Sequence, residues 1–217
     1  MSREINRILD IYSTSWFSSF SKLVSITEWG DRKKAEEYLN RYYISVKEYE
    51  EIWSFKQSQI FNDSCYLPDL MYKTDFKILA LRGGCLFVKN EFEQLQKVMQ
   101  KIGDKYFFVI QHTQDYEQEA PMFRLKFPVN ISWQDLNAGN FISAILFEMP
   151  YNNYFVFGDS CKWGKYAAND CEYPLDIFGF KQECASLFRE NFVLSPKEQN
   201  EIYGWLPLLY KELIKQM

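Results

Sequence analysis

One histidine, His112, stands in a chain of 217 residues, so no site can draw on a His pair or triad to hold a metal. Nine glycines are spread thinly, which leaves no Gly-rich phosphate loop. The five cysteines are odd in number and include no C-x-x-C pair. Free thiols in a reducing compartment are their expected state. The longest strongly apolar stretch, near Phe141 to Phe147, is far too short to span a bilayer. The N-terminal run Met1-Ser2-Arg3-Glu4-Ile5-Asn6-Arg7 is charged and has no apolar core, so it does not read as a signal peptide. Neither end carries a lipidation box. These absences lead to the expectation of a cytoplasmic protein with no cofactor, no metal and no membrane partner.

Aromatic side chains are what the sequence has in surplus: 19 Phe, 15 Tyr and 6 Trp. Each buries about 150–250 Å², more than a core of this size usually needs, so some are expected at a half-exposed face or cleft. The net charge of −4 is unevenly placed. Residues 115–176 hold 9 acidic and 4 basic side chains, and no Lys or Arg occurs from Phe127 to Cys161. An acidic centre repels phosphate and disfavours nucleic acid. It suits a basic protein partner, or else forms a solvated acidic rim with no partner at all.

The hydrophobic period divides the chain into helices, then strands, then helices. Ile5, Ile8, Leu9 and Tyr12 keep helical spacing. Asp31 reads as the cap of a helix bearing Ala35, Tyr38, Leu39 and Tyr42. Ser45 and Glu48 read as a capping box for a third, with Tyr49, Ile52, Trp53 and Ile60 on its face. Gly83-Gly84 between two apolar runs reads as a hairpin turn. A helix capped at Asn90 carries Phe92, Leu95, Met99 and Ile102 and stops at Gly103. Tyr106–Ile110 reads as a strand buried on both faces, and Phe123–Phe127 as a half-exposed one. A second hairpin is expected around Pro150–Asn153, and a strand over Leu175–Phe180. Residues 181–190 suit a short helix. Ser195-Pro196-Lys197-Glu198 caps a final one, with Ile202, Trp205, Leu206, Leu209 and Leu213 inward and a kink at Pro207. This order predicts one α+β domain over 1–217. A helical part, 1–62, packs on a mostly antiparallel sheet within 75–180, and C-terminal helices, 181–217, close it.

Four constellations could carry chemistry. Phe155-Val156-Phe157-Gly158-Asp159-Ser160 resembles the serine box of GDSL-type esterases and lipases, with Asn169-Asp170 near the place of their later Asn box. That chemistry needs a His base downstream, whereas His112 lies upstream of Ser160. Cys85 and His112 stand in the order of papain-like enzymes, but Cys85 follows a Gly-Gly turn on an apolar run and suits a buried thiol better. Cys161, Cys171 and Cys184 are too widely spaced for a zinc site. Asp115, Glu117, Glu119, Glu148, Asp159 and Asp170 could supply a carboxylate pair for a hydrolase, or simply form a solvated acidic loop. The most distinctive stretch is Ser160–Pro174, read as a long loop between strands. Its Asp159 neighbour and its own Trp163, Tyr166, Asn169, Asp170, Glu172 and Tyr173 form the candidate binding set; the equal alternative is a packed loop that Trp163 anchors to the core.

The order of features also resembles the SUKH-type immunity proteins with which bacteria neutralise secreted toxins. Leu67-Pro68, Gly83-Gly84, Gly158-Asp159 and the 181–190 helix are the matching pieces. The resemblance implies toxin binding through an acidic surface. The expected function is therefore that of a non-enzymatic binding protein, immunity-like, with a basic partner. A small hydrolase using Ser160 or a carboxylate pair is one alternative, and a ligand module with an aromatic pocket is the other.

Overall fold

The structure is a computed structural model and describes residues 3–12, 32–62, 66–83, 85–112, 120–138, 153–168, 172–173 and 175–215. The expected Asp31 cap, the run 141–149, Pro150–Asn152 and most of the acidic positions before Asp159 lie outside those residues. The chain opens with α1 (Arg3–Tyr12) and α2 (Arg32–Tyr42). Next, α3 (Val46–Glu48) runs through a π-helical turn (Tyr49–Trp53) into α4 (Ser54–Ser58). Then follow β1 (Phe76–Arg82), α5 (Lys89–Ile102), β2 (Tyr106–His112), β3 (Arg124–Pro128) and α6 (Trp133–Asn137). Three strands come next: β4 (Asn153–Gly158), β5 (Trp163–Ala167) and β6 (Leu175–Lys181). A 3₁₀ turn leads into α7 (Ala185–Asn191), and α8 (Pro196–Trp205) and α9 (Leu208–Lys215) close the fold.

The six strands form one sheet in the order β1-β6-β5-β4-β2-β3, antiparallel throughout. The fold is thus α+β, with helices at both ends of the chain. Helices cover both faces of the sheet, so the inner strands β4, β5 and β6 bury both of their side-chain rows, while the edge strands β1 and β3 keep half-buried positions such as Lys77 and Lys126. Phe107, Val109, Val156, Trp163 and Phe178 face a core shared with α1, α2, α5 and α7. Phe108, Ile110, Phe155, Tyr166 and Ile177 face a second core closed by Trp53, Phe61, Ile202 and Tyr210. This explains the continuous apolar runs, which in antiparallel sheets usually give way to alternation with one face in water.

Most expected elements are present, and the departures have local causes. Ile52 was expected inward but is 45 % exposed. The π turn closes with Ser54 N–H donating to Tyr49 O, which inserts an extra residue and rotates Ile52 out of the 3.6-residue stripe. Ser45 does cap α3 by accepting from Glu48 N–H, but Glu48 turns instead to Trp53 Nε1 and Lys126. Residues 85–88 form no strand, and β1 pairs with β6 rather than across Gly83-Gly84. Gly83 serves close approach: a Cβ there would meet the Leu175 backbone at 2.8 Å. Arg124, expected on an open strand face, is buried, with its guanidinium on Glu4, the Tyr43 hydroxyl and the Ile44 carbonyl. The Ile44 N–H donates to the Arg124 carbonyl and covers the outer edge of β3. Pro207 ends α8 outright rather than kinking it. Helix α9 restarts in a new phase, with Tyr210 buried and Leu209 exposed.

Candidate functional site

The stretch expected to be a recognition loop contains strand β5. Asp159 and Ser160 form the turn before it. The Asp159 carboxylate accepts from Lys105 N–H at 3.0 Å, and its carbonyl accepts from Lys56 Nζ at 2.6 Å. Ser160 N–H donates to Asp104 Oδ1 at 2.8 Å, and Asp104 Oδ2 accepts from Trp163 Nε1 at 2.7 Å. Burial holds the Asp104 carboxyl above its ordinary value against these donors. Gly158-Asp159-Ser160 thus has a structural use: it ties the β4–β5 turn to the start of β2.

Trp163 and Tyr166 are both fully buried and point to opposite faces of the sheet. They do not form one surface. Glu172 is exposed and Tyr173 half-buried, while Asn169 and Asp170 lie outside the described residues. His112 pairs with Asn153 at the far end of the β2–β4 ladder from Gly158. Five residues of strand separate it from the Ser160 turn, roughly 17 Å at about 3.4 Å per residue, so the two side chains are out of hydrogen-bond reach. His112 instead stacks on Tyr66 with ring centroids 3.9 Å apart, and its Nδ1 lies 3.1 Å from the Tyr166 hydroxyl. Among the described residues, no group of three or more His, Cys, Asp and Glu is placed to hold a metal. No described helix is long and apolar enough to cross a membrane.

Two features were not read from the sequence. The first is a buried ionic cluster. Lys165 is fully buried, and its ammonium reaches Asp176 at 2.7 Å, Glu91 at 2.5 Å and the Leu86 carbonyl at 2.6 Å. These three acceptors match the three N–H donors of an ammonium, so Lys165 is a pinned cation rather than a nucleophile. Burial pulls the ammonium down, but Asp176 and Glu91 outweigh it and hold it above its ordinary value. Burial pushes the Asp176 carboxyl up to about 7 against the pull of Lys165.

The second feature is an apolar groove at the β1 edge of the sheet, about 490 Å³ in volume. The groove wraps the β1 edge: Leu79, Phe180 and Phe192 line it from one core, and Ile78, Ala80, Ile202 and Leu206 from the other. Arg189, Asn200 and Tyr203 are polar groups on its lining, all exposed. A smaller cleft of about 280 Å³ adjoins it beyond Val193–Leu194, with Glu91, Glu198, Glu201, Arg82 and Trp205 around it. Val193, on the divide, is 78 % exposed. The complete capping box at Ser195 and Glu198 sets where α8 begins, and the break at Pro207 turns α9 back along β1. These two sequence signals were legible. The cavity they frame was not, because its walls come from residues more than a hundred positions apart.

No family model, curated protein or solved structure matches the chain.

Proposed function

We propose that the protein is a non-enzymatic binding protein and that it binds in the groove between β1 and helices α7–α9. The observation that carries this reading is the groove itself. A concave apolar cleft of about 490 Å³ lies within the roughly 300–1,000 Å³ of small-molecule sites, which pair apolar walls with a few polar groups. The Ser160 hydrolase reading lacks such support, since Ser160 and His112 are far apart; of the carboxylate-pair candidates, Asp159 is spent on backbone N–H groups and the others lie outside the described residues. The thiols of Cys161 and Cys184, neither of them in a disulfide, support a reducing, cytoplasmic location.

Nile red, a neutral apolar dye, tests the reading. It is expected to bind with a blue-shifted emission, and Gln199→Trp, at an exposed position on the lining, is expected to remove most of that signal. Equal emission from the variant, or none from the native chain, would refute the groove as the site.

The immunity-like reading, with a basic protein partner, is favoured by one observation. Glu201 lines the smaller cleft as an exposed carboxylate whose contact to Lys197 is a long 3.9 Å, which leaves it open to a basic side chain, while Glu198 is held by Ser195 and the Trp205 ring by Arg82. It predicts a partner captured from the native host whose retention falls with salt and with Glu201→Lys.

A further inference from the structure

We infer that the groove takes an amphipathic monocarboxylate, its apolar chain between β1 and α8 and its carboxylate at Arg189. This rests on the groove being a binding site and adds the chemistry of what fills it. The deep walls offer no charge: Ile78, Ala80, Phe180, Ile202 and Leu206 contribute only hydrocarbon. An occupant without a long apolar part would leave those walls wet. The charge on the lining is of one sign. Arg189 stands at the end of α7 with no ion-pair partner among the described residues, and it is the one charged residue on the larger cleft's described lining. The Asn200 amide lines the same cleft and can donate alongside it. The carboxylates nearby, Glu91, Glu198 and Glu201, line the other cleft, beyond Val193–Leu194. A guanidinium presents parallel N–H donors that match a carboxylate in a fork. A neutral lipid would leave Arg189 unused, and a cationic amphiphile would meet it head-on.

Titration calorimetry with decanoate, decanol and decyltrimethylammonium separates the possibilities. Decanoate is expected to bind about two- to fivefold more tightly than decanol, the gain of one partly solvated ion pair, and decyltrimethylammonium most weakly. Arg189→Gln, at an exposed site that leaves the fold intact, is expected to bring decanoate down to the level of decanol while decanol itself is unchanged. Equal binding of decanoate and decanol by the native chain would overturn the head-group assignment and leave the groove standing. Failure of all three to bind, or to shift amide resonances of β1 and α8, would overturn the groove reading with it. Tighter binding of the cationic amphiphile would overturn the assignment in favour of the acidic cleft.

Discussion

Lys165 and Asp176 meet at 2.7 Å on neighbouring strands, and neither side chain reaches solvent. The register sets Ala167 opposite Asp176 and Lys165 opposite Phe178, so the contact is diagonal across one face of the sheet. Glu91, from the first turn of α5, completes it from above. The rings of Phe87 and Phe178 flank the ammonium at 5.0 and 5.8 Å, and among the described residues the buried Asp176 oxygens have no hydrogen-bond donor beyond the ion pair with Lys165. Removing the cation alone should therefore be severe. Lys165→Met is expected to cost about 3–5 kcal/mol, because a buried carboxylate then stands uncompensated. Adding Asp176→Leu should return part of the loss, since a hydrophobic replacement of a buried pair is often neutral while Glu91, 12 % exposed, still loses its cation. Urea unfolding of the single and double variants checks both values, and an additive pair would refute the coupling.

The same cluster sets a pH dependence. Asp176 is held at about 7 in the folded chain against an ordinary value of 3.8. The folded state therefore binds this proton more tightly than the unfolded state does. The stability it contributes is full below about pH 4 and is lost as pH rises through about 7. Lys165 and Glu91 are the charged groups facing it, and Lys165 stays protonated across the window. The melting temperature is expected to fall between pH 5 and pH 8, and Asp176→Asn should flatten that fall. An unchanged slope in the variant would place the titrating group elsewhere.

Two glycines offer a paired test of the β4–β5 turn. A Cβ at Gly158 would run into the Asp104 carboxylate and the Trp163 indole, which are hydrogen-bonded to each other. Gly158→Ala is expected to cost more than about 2 kcal/mol, through displacement of a buried polar contact, and to change Trp163 emission. Gly204, inside α8, has open space where a Cβ would go. Gly204→Ala should stabilise the protein by about 0.5–1 kcal/mol through the helix alone. Thermal melts of the two variants should move in opposite directions.

Local signals in the sequence carried much of the fold. The Ser195–Glu198 box and the 3.6-residue stripes of α2 and α5 correspond to real helices because caps and amphipathic faces are short-range properties. Ile52 and Leu209 escaped the same logic because Ile52 lies within a π turn and Leu209 just after a proline, each of which resets the helical phase. Gly83-Gly84 has the composition of a turn, but Gly83 answers to the Leu175 backbone, a contact invisible along the chain. The candidate site was less legible. Trp163 and Tyr166, with acidic and amide groups around them in sequence, read equally as recognition residues or as anchors of a packed loop. Only the pairing of β5 with β4 and β6 shows that both faces of that strand are dry. The groove draws its walls from β1 and from α7–α9, so no window of sequence contains it.

Tyr210 links the stability of the last helix to the groove. Its ring is fully buried, and its hydroxyl accepts from Met71 N–H and donates to the Asp69 carbonyl, both at 2.9 Å. Those bonds hold α9 on the 69–71 segment, and Ile214 of the same helix lines the groove. Tyr210→Phe keeps the ring and removes the hydroxyl. It leaves a buried N–H and a carbonyl short of a partner, at a cost of about 1–3 kcal/mol. The loss should fall first on α9, at the end of the chain, rather than on the central strands. Hydrogen exchange is expected to speed up in residues 208–215 while β2 and β4 stay protected. Nile red affinity should drop in step, since one side of its site has loosened. If α9 frays while dye binding holds, α9 is no part of the site, and the groove's ligand rests on β1, α7 and α8 alone.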